Sequence, residues 1–228
     1  MKYSGRATRA AFKLILMALA VVLVVVALAA LALPKGSLGW AAFAALPVIW
    51  VIFALFTVYF FRDPDARVPA GAGVVLAPGH GRVDAIGTTS EPAFMGGECQ
   101  RVSIFLSVLD VHVQNAPISG KVAYFKYTAG KFLNALRADS ALYNENVLLG
   151  FEASGPRGLK VGVRLIAGVI ARRIVPFVQQ GDEVAQGDRI SLIQFGSRAD
   201  VYLPPNAKLK VQLNDHAVGG ETVLAVIE

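Results

Sequence analysis

Acidic residues are missing from the first quarter of this chain. Residues 1–61 hold five basic residues (Lys2, Arg6, Arg9, Lys13 and Lys35) and no Asp or Glu. Charge is sparse overall, 17% of 228 residues against roughly a quarter in soluble domains, which argues against an ordinary cytosolic globule. Cysteine is limited to Cys99, so an internal disulfide is excluded and a reducing compartment fits. No activating partner for that thiol is evident, and it reads as structural filler. The three histidines, His80, His112 and His216, do not pair with Cys or each other at zinc spacing, so no metal site is expected. No Walker or dinucleotide glycine pattern runs from a strand into a helix. Disorder is excluded by a 55% hydrophobic content. The pI near 9.6 belongs mostly to the N-terminal segment, because 17 basic residues face 16 acidic ones after residue 61. Nucleic-acid binding is therefore not expected.

What the chain has in abundance is apolar length. Residues 14–33 form an uninterrupted run of Leu, Ile, Met, Ala and Val, and 20 helical residues span about 30 Å, the thickness of a hydrocarbon core. Pro34, Lys35, Gly36 and Ser37 then break the run, and residues 38–61 follow without a charge. Trp40, Trp50, Tyr59, Phe60 and Phe61 add rings of the kind that settle near interfaces, although Trp50 falls mid-span. A cleavable signal peptide is the competing reading, but the first run is too long for a signal core and no small-residue cleavage site precedes the second. Residues 1–61 thus predict a transmembrane hairpin. The basic flank before the first span puts the N-terminus in the cytoplasm, and two crossings return residue 62 to that side.

Residues 62–228 predict one mainly β domain, large enough to bury a core. Short β-branched runs at 74–76, 102–106, 120–125, 147–149, 161–166, 190–193 and 210–213 are separated by Gly, Pro, Asn or Asp. A turn of helix is expected only near 132–142. Segment 116–122 and the G-D-x-V-x-x-G-D spacing at 181–188 resemble the half-units of the barrel-sandwich fold of biotinyl and lipoyl carrier domains, where glycines serve hairpins. A carrier function is not supported, because no Met-Lys pair occurs beyond Met1-Lys2.

Gly196-Ser197 follows the predicted strand 190–193, and as an isolated dipeptide it reads as a turn. Its context says more. Phe61-Arg62-Asp63-Pro64, the segment 102–120 around Asp110-Val111-His112, Phe132-Leu133-Asn134-Ala135, segment 168–174 and segment 195–204 occur in that order. Together with the double apolar run they resemble the short bacterial class of phosphatidylserine decarboxylase.

That resemblance implies a self-processing, pyruvoyl-dependent enzyme. The Ser197 hydroxyl attacks the Gly196 carbonyl, β-elimination cuts the chain, and residue 197 becomes a pyruvoyl group heading an α chain of 197–228. Residues 1–196 form the β chain. The two chains stay associated, and a homo-oligomer is expected. The group forms a Schiff base with the serine headgroup of phosphatidylserine, releases CO2 and yields phosphatidylethanolamine. A two-chain substrate that stays in the bilayer explains the inner-membrane anchor.

By the same resemblance, His112 delivers a proton or positions the substrate carboxylate. Asp110, two residues earlier and so on the same face of a strand, orients its ring. A satisfied strand histidine is the plain alternative. His80 stands where the family usually has an Asp of the self-cleavage machinery, and Asn115 where longer relatives have a second histidine. Either His80 is the base for Ser197, or maturation is slow or lost. Arg172 or Arg173 can hold a lipid phosphate, although a solvated face accounts for them as well. His216 reads as a turn residue. The rival from another class is an uncut, non-enzymatic, membrane-tethered barrel-sandwich binding module; a third reading is the same chemistry on a related headgroup.

Overall fold

The computed structural model describes residues 3–32, 38–131, 133, 143–153, 158–168, 173–194 and 196–227. The expected break at 34–37, the helical turn near 132–142, and Arg172 lie outside these. The chain divides into two compact units, Gly5–Arg62 and Met1–Ser4 with Asp63–Glu228.

The first unit is two helices, α1 (Arg6–Ala32) and α2 (Leu38–Phe60), both long and apolar enough to cross a membrane. Their large side chains face outward, as Leu16, Val21 and Leu31 do on α1. Such helices have no apolar core of their own to fill, and a lipid environment suits them. The Trp50 indole N–H donates to the Ile15 carbonyl of α1 at 3.2 Å, so the mid-span tryptophan finds its partner on the other helix.

The second unit is built from antiparallel strands. Its largest sheet has the order β13 (His216–Ala217), β2 (Gly81–Glu91), β3 (Gly97–Leu106), β11 (Ser197–Leu203), β7 (Lys160–Ala167), β6 (Asn146–Ala153), β5 (Gly120–Thr128) and β9 (Glu183–Val184). A three-stranded sheet joins β1 (Val74–Leu76), β14 (Val223–Val226) and β12 (Lys208–Leu209). Another joins β4 (Val113–Asn115), β10 (Arg189–Ile193) and β8 (Ile174–Pro176). Side chains alternating along the strands, among them Val102, Ile104, Val163, Leu165, Ala199 and Val201, form one buried core.

Three sequence expectations are corrected. Residues 210–213 are not a strand: Lys210 bonds to Leu224, and Gln212 opens a turn closed by Asp215. Residues 107–110 form a turn, so Asp110 and His112 do not share a strand face. Strands β2 and β11 were not expected, because Arg198 and Asp200 interrupt the apolar pattern of β11 and Gly, Thr and Ser dilute that of β2. Arg198 and Asp200 point away from the core on β11, while Ala199 and Val201 point into it.

The motif at 61–64 has a visible structural use. Arg189 on β10 is buried, and its Nε–H donates to both carboxylate oxygens of Asp63, at 2.6 and 2.7 Å. Its Nη2 donates to exposed Asp65 at 2.9 Å, and that hydrogen bond holds the Asp65 carboxyl below its ordinary value. The chain leaving α2 is thereby fastened to the β core.

Candidate active site

Ser197 opens β11, between Leu106 of β3 and Ala167 of β7 in register. It shares the face of Ala199 and Val201, is fully buried, and its Oγ has no hydrogen-bond partner. Leaving a buried hydroxyl unbonded costs about 1–3 kcal/mol, so this position carries a local penalty. The preceding residue, Gly196, has φ 68°. A Cβ there would meet nothing closer than Val108 Cγ1 at 3.9 Å, so backbone conformation rather than space calls for glycine.

Both polar ends of Gly196 are held. Its carbonyl accepts the Gly168 N–H at 3.2 Å. Its own N–H donates to His112 Nε2 at 3.1 Å. The buried His112 ring also bonds through Nδ1 to the Asp110 carbonyl at 2.8 Å. A carbonyl only accepts and a backbone amide only donates, so these bonds assign the neutral ring with its proton on Nδ1.

Asp110 therefore orients His112 through its backbone carbonyl and not its carboxylate. That carboxylate takes the Ser107 N–H and O–H at 2.8 and 2.7 Å, and its other oxygen lies 3.2 Å from His216 Nε2. Burial pushes the Asp110 carboxyl up, but bonds from Ser107 and His216 outweigh it, and the net shift is downward.

His80 lies in the bend between β1 and β2. Its ring, with the Asn115 side chain, borders Gly219, where a Cβ would meet His80 Cδ2 and Asn115 Oδ1 at 3.0 Å each. The preceding Gly79 packs on Leu106, the β3 partner of Ser197. Neither histidine bonds the Ser197 hydroxyl. His216 is the first residue of β13 and exposed, not part of a turn. Arg173 is exposed, and its carbonyl accepts the Gln194 N–H at 3.3 Å. Cys99 is buried, and burial pushes its thiol up, away from nucleophilic character.

Among the described residues no cluster of three or more His, Cys, Asp or Glu is arranged to hold a metal ion. The Gly168 N–H was missed from the sequence, since a backbone donor leaves no side-chain signature.

The structure joins an apolar two-helix segment to a β domain in which a backbone-held Gly-Ser junction opens a buried strand. The family model described as phosphatidylserine decarboxylase matches residues 53–225. A phosphatidylserine decarboxylase proenzyme of Gluconobacter oxydans is 48% identical over 173 residues, covering 75% of this chain and 76% of the relative. That of Desulfotalea psychrophila is 42% identical over 172 residues, with 75% and 79% covered. That of Symbiobacterium thermophilum is 42% identical over 169 residues, with 74% and 78% covered. The chain belongs to the phosphatidylserine decarboxylase family, a family of carboxy-lyases.

Proposed function

We propose that this chain is a membrane-anchored proenzyme that cuts itself at Gly196-Ser197 and then decarboxylates phosphatidylserine to phosphatidylethanolamine on the cytoplasmic face of the inner membrane. The observation that carries this reading is the buried, unbonded Ser197 Oγ next to a Gly196 carbonyl already polarised by the Gly168 N–H. In the first step Oγ bonds to the Gly196 carbonyl carbon and the C–N bond to Ser197 breaks, the hydroxyl proton ending on the freed amine. The Gly168 N–H stabilises the oxygen charge that develops. Removal of the Ser197 α-proton then breaks the Cβ–Oγ bond and leaves Gly196 with a carboxylate. Water replaces the nitrogen at residue 197 as ammonia, and a pyruvoyl group remains.

The residues present fit that group: small Gly196 leaves room, and a buried strand end excludes bulk water. When formed, the group supplies an electron sink for loss of CO2. His112, neutral and fixed by Asp110, is suited to hold or deliver a proton there. His80 is suited to take the Ser197 proton; the bend that carries it packs on the residue opposite Ser197. The helix lengths and the basic flank of α1 support a transmembrane hairpin with its N-terminus inside. The β-rich, hairpin-linked second unit supports a barrel-sandwich kinship. A homo-oligomer remains part of this reading. Association of the 1–196 and 197–228 chains is supported by β11, hydrogen-bonded on both sides by strands of the other chain.

Intact-mass measurement tests the proposal. Two chains, with the smaller beginning in a carbonyl that borohydride reduces onto bound substrate, are expected. A permanently intact 24.2 kDa chain in freshly inserted material overturns it and leaves the tethered binding module.

A further inference from the structure

Four turns in the β unit share one construction. In each, the fourth residue is an Asp whose carboxylate accepts the N–H of the first and whose N–H returns to the first residue's carbonyl: 107–110, 179–182, 185–188 and 212–215. In the first, second and fourth turns the two central residues are exposed, whereas in the third Gly187 is buried and the Gln186 amide donates to the Val74 and Pro117 carbonyls. In the second and third turns the central residues are Gln180-Gly181 and Gln186-Gly187. In the other two they are Val108-Leu109 and Leu213-Asn214. Leu109 is 60% exposed and Leu213 56%, the two most exposed large aliphatic side chains among described residues 63–227. A turn that holds leucine in water forgoes the gain its burial would bring, and the same Asp clasp at 179–182 carries an exposed Gln-Gly tip, so the clasp itself does not call for leucine.

The two leucine-tipped turns are also joined to each other and to the site. The Asp that closes the first meets His216, the residue following the second, at 3.2 Å. The same Asp110 holds His112 against Gly196, and a Cβ on Gly196 would meet Val108 Cγ1 at 3.9 Å. Arg82, exposed, stands opposite His216 in the β13–β2 ladder.

We propose that the 107–110 and 212–215 turns are a membrane-contacting rim, Leu109 and Leu213 entering the acyl-chain region of the bilayer beside the Gly196-Ser197 site. This rests on the reading that the substrate is a bilayer phospholipid. The rim brings the reacting end of β11 to the headgroup layer and spares a two-chain lipid from leaving the membrane. Arg82 then lies among anionic headgroups, which attract a cation at the bilayer surface.

The test uses the full chain in nanodiscs of phosphatidylserine and brominated phosphatidylcholine. Leu109→Cys, Leu213→Cys and Gln180→Cys are each labelled with an environment-sensitive fluorophore; native Cys99 is buried and stays unlabelled. Quenching and a blue shift at positions 109 and 213, with an unquenched label at 180, are the expected result. Unquenched labels at 109 and 213, or equal quenching at all three, overturn the rim. Thermal melting of each labelled protein verifies folding. Phosphatidylethanolamine formed by unlabelled protein in the same discs reports the function separately: labels quenched without product would sink the enzymatic reading alone, and product with unquenched labels would sink only the rim. Converting both leucines to Ser is expected to lower turnover of bilayer substrate roughly tenfold while sparing a short-chain monomeric phosphatidylserine; equal loss on both substrates also rejects the rim.

Discussion

Ser197 and Arg198 are sequence neighbours, and both are buried, yet their polar atoms are treated in opposite ways. On the outer face of β11, Arg198 Nε donates to Asp200 at 2.9 Å and its Nη1 meets Asp84 at 3.2 Å. On the core face the Ser197 hydroxyl has nothing. A fold that can surround a guanidinium with two carboxylates is able to supply one acceptor to a hydroxyl. The outer face gives its cation two carboxylate partners while leaving the Ser103 hydroxyl and Asp84 Oδ1 unbonded, and the core face at position 197 leaves its hydroxyl unbonded next to the Gly196 carbonyl.

Substitutions on either side of the strand sharpen or break this contrast. The largest expected effect is on processing: Ser197→Ala should abolish chain cleavage while melting at or above the wild-type temperature, because an unbonded hydroxyl has been removed. A clear loss of stability would mean that the hydroxyl is structurally used. Arg198→Ala should do the reverse, destabilising by about 3–5 kcal/mol because buried Asp200 and partly buried Asp84 lose their partner. Denaturant melts of the detergent-solubilised protein measure it, and near-neutral behaviour would place the network among surface pairs.

Next comes Asp110→Asn, expected to cost about 1–2 kcal/mol at neutral pH through lost bonds to a charged acceptor. The folded-state pKa of Asp110 is lowered, so its contribution is present above the unfolded value and disappears as pH falls through the folded one. Melting curves of wild type and variant should converge in acid. Asp84 runs the other way and gives the smallest effect. Burial raises its pKa, with the Arg198 charge only partly opposing, so its contribution is complete below the unfolded value and fades as pH rises through the folded one. Wild type should lose stability relative to Asp84→Asn across that interval, and a slope of the opposite sign would refute the assignment.

The contrast on β11 also shows what a sequence can carry. The apolar runs at 14–33 and 38–61 announced α1 and α2 through length and composition alone, and the β-branched runs announced β1, β3, β5, β6, β7 and β10. Strand β11 stayed hidden because its outward residues are charged, and β2 because Gly, Thr and Ser dilute its alternation. The segment 107–112 has the composition of a strand, yet the carboxylate of Asp110 closes it into a turn. That event depends on a side chain reaching back three residues and leaves no hydrophobic period. The Gly196-Ser197 junction was legible through resemblance. Its geometry was not, since φ at Gly196 and the Gly168 donor belong to the backbone.

One consequence follows from how the C-terminal stretch is threaded. Residues 197–227 supply β11 to the middle of the largest sheet, β13 to its edge, and β12 and β14 to a different sheet. If the 196–197 link opens, the short piece cannot slide out without several ladders unzipping at once. Mature molecules mixed from two isotopically distinct batches should therefore keep their original partners for as long as they stay folded.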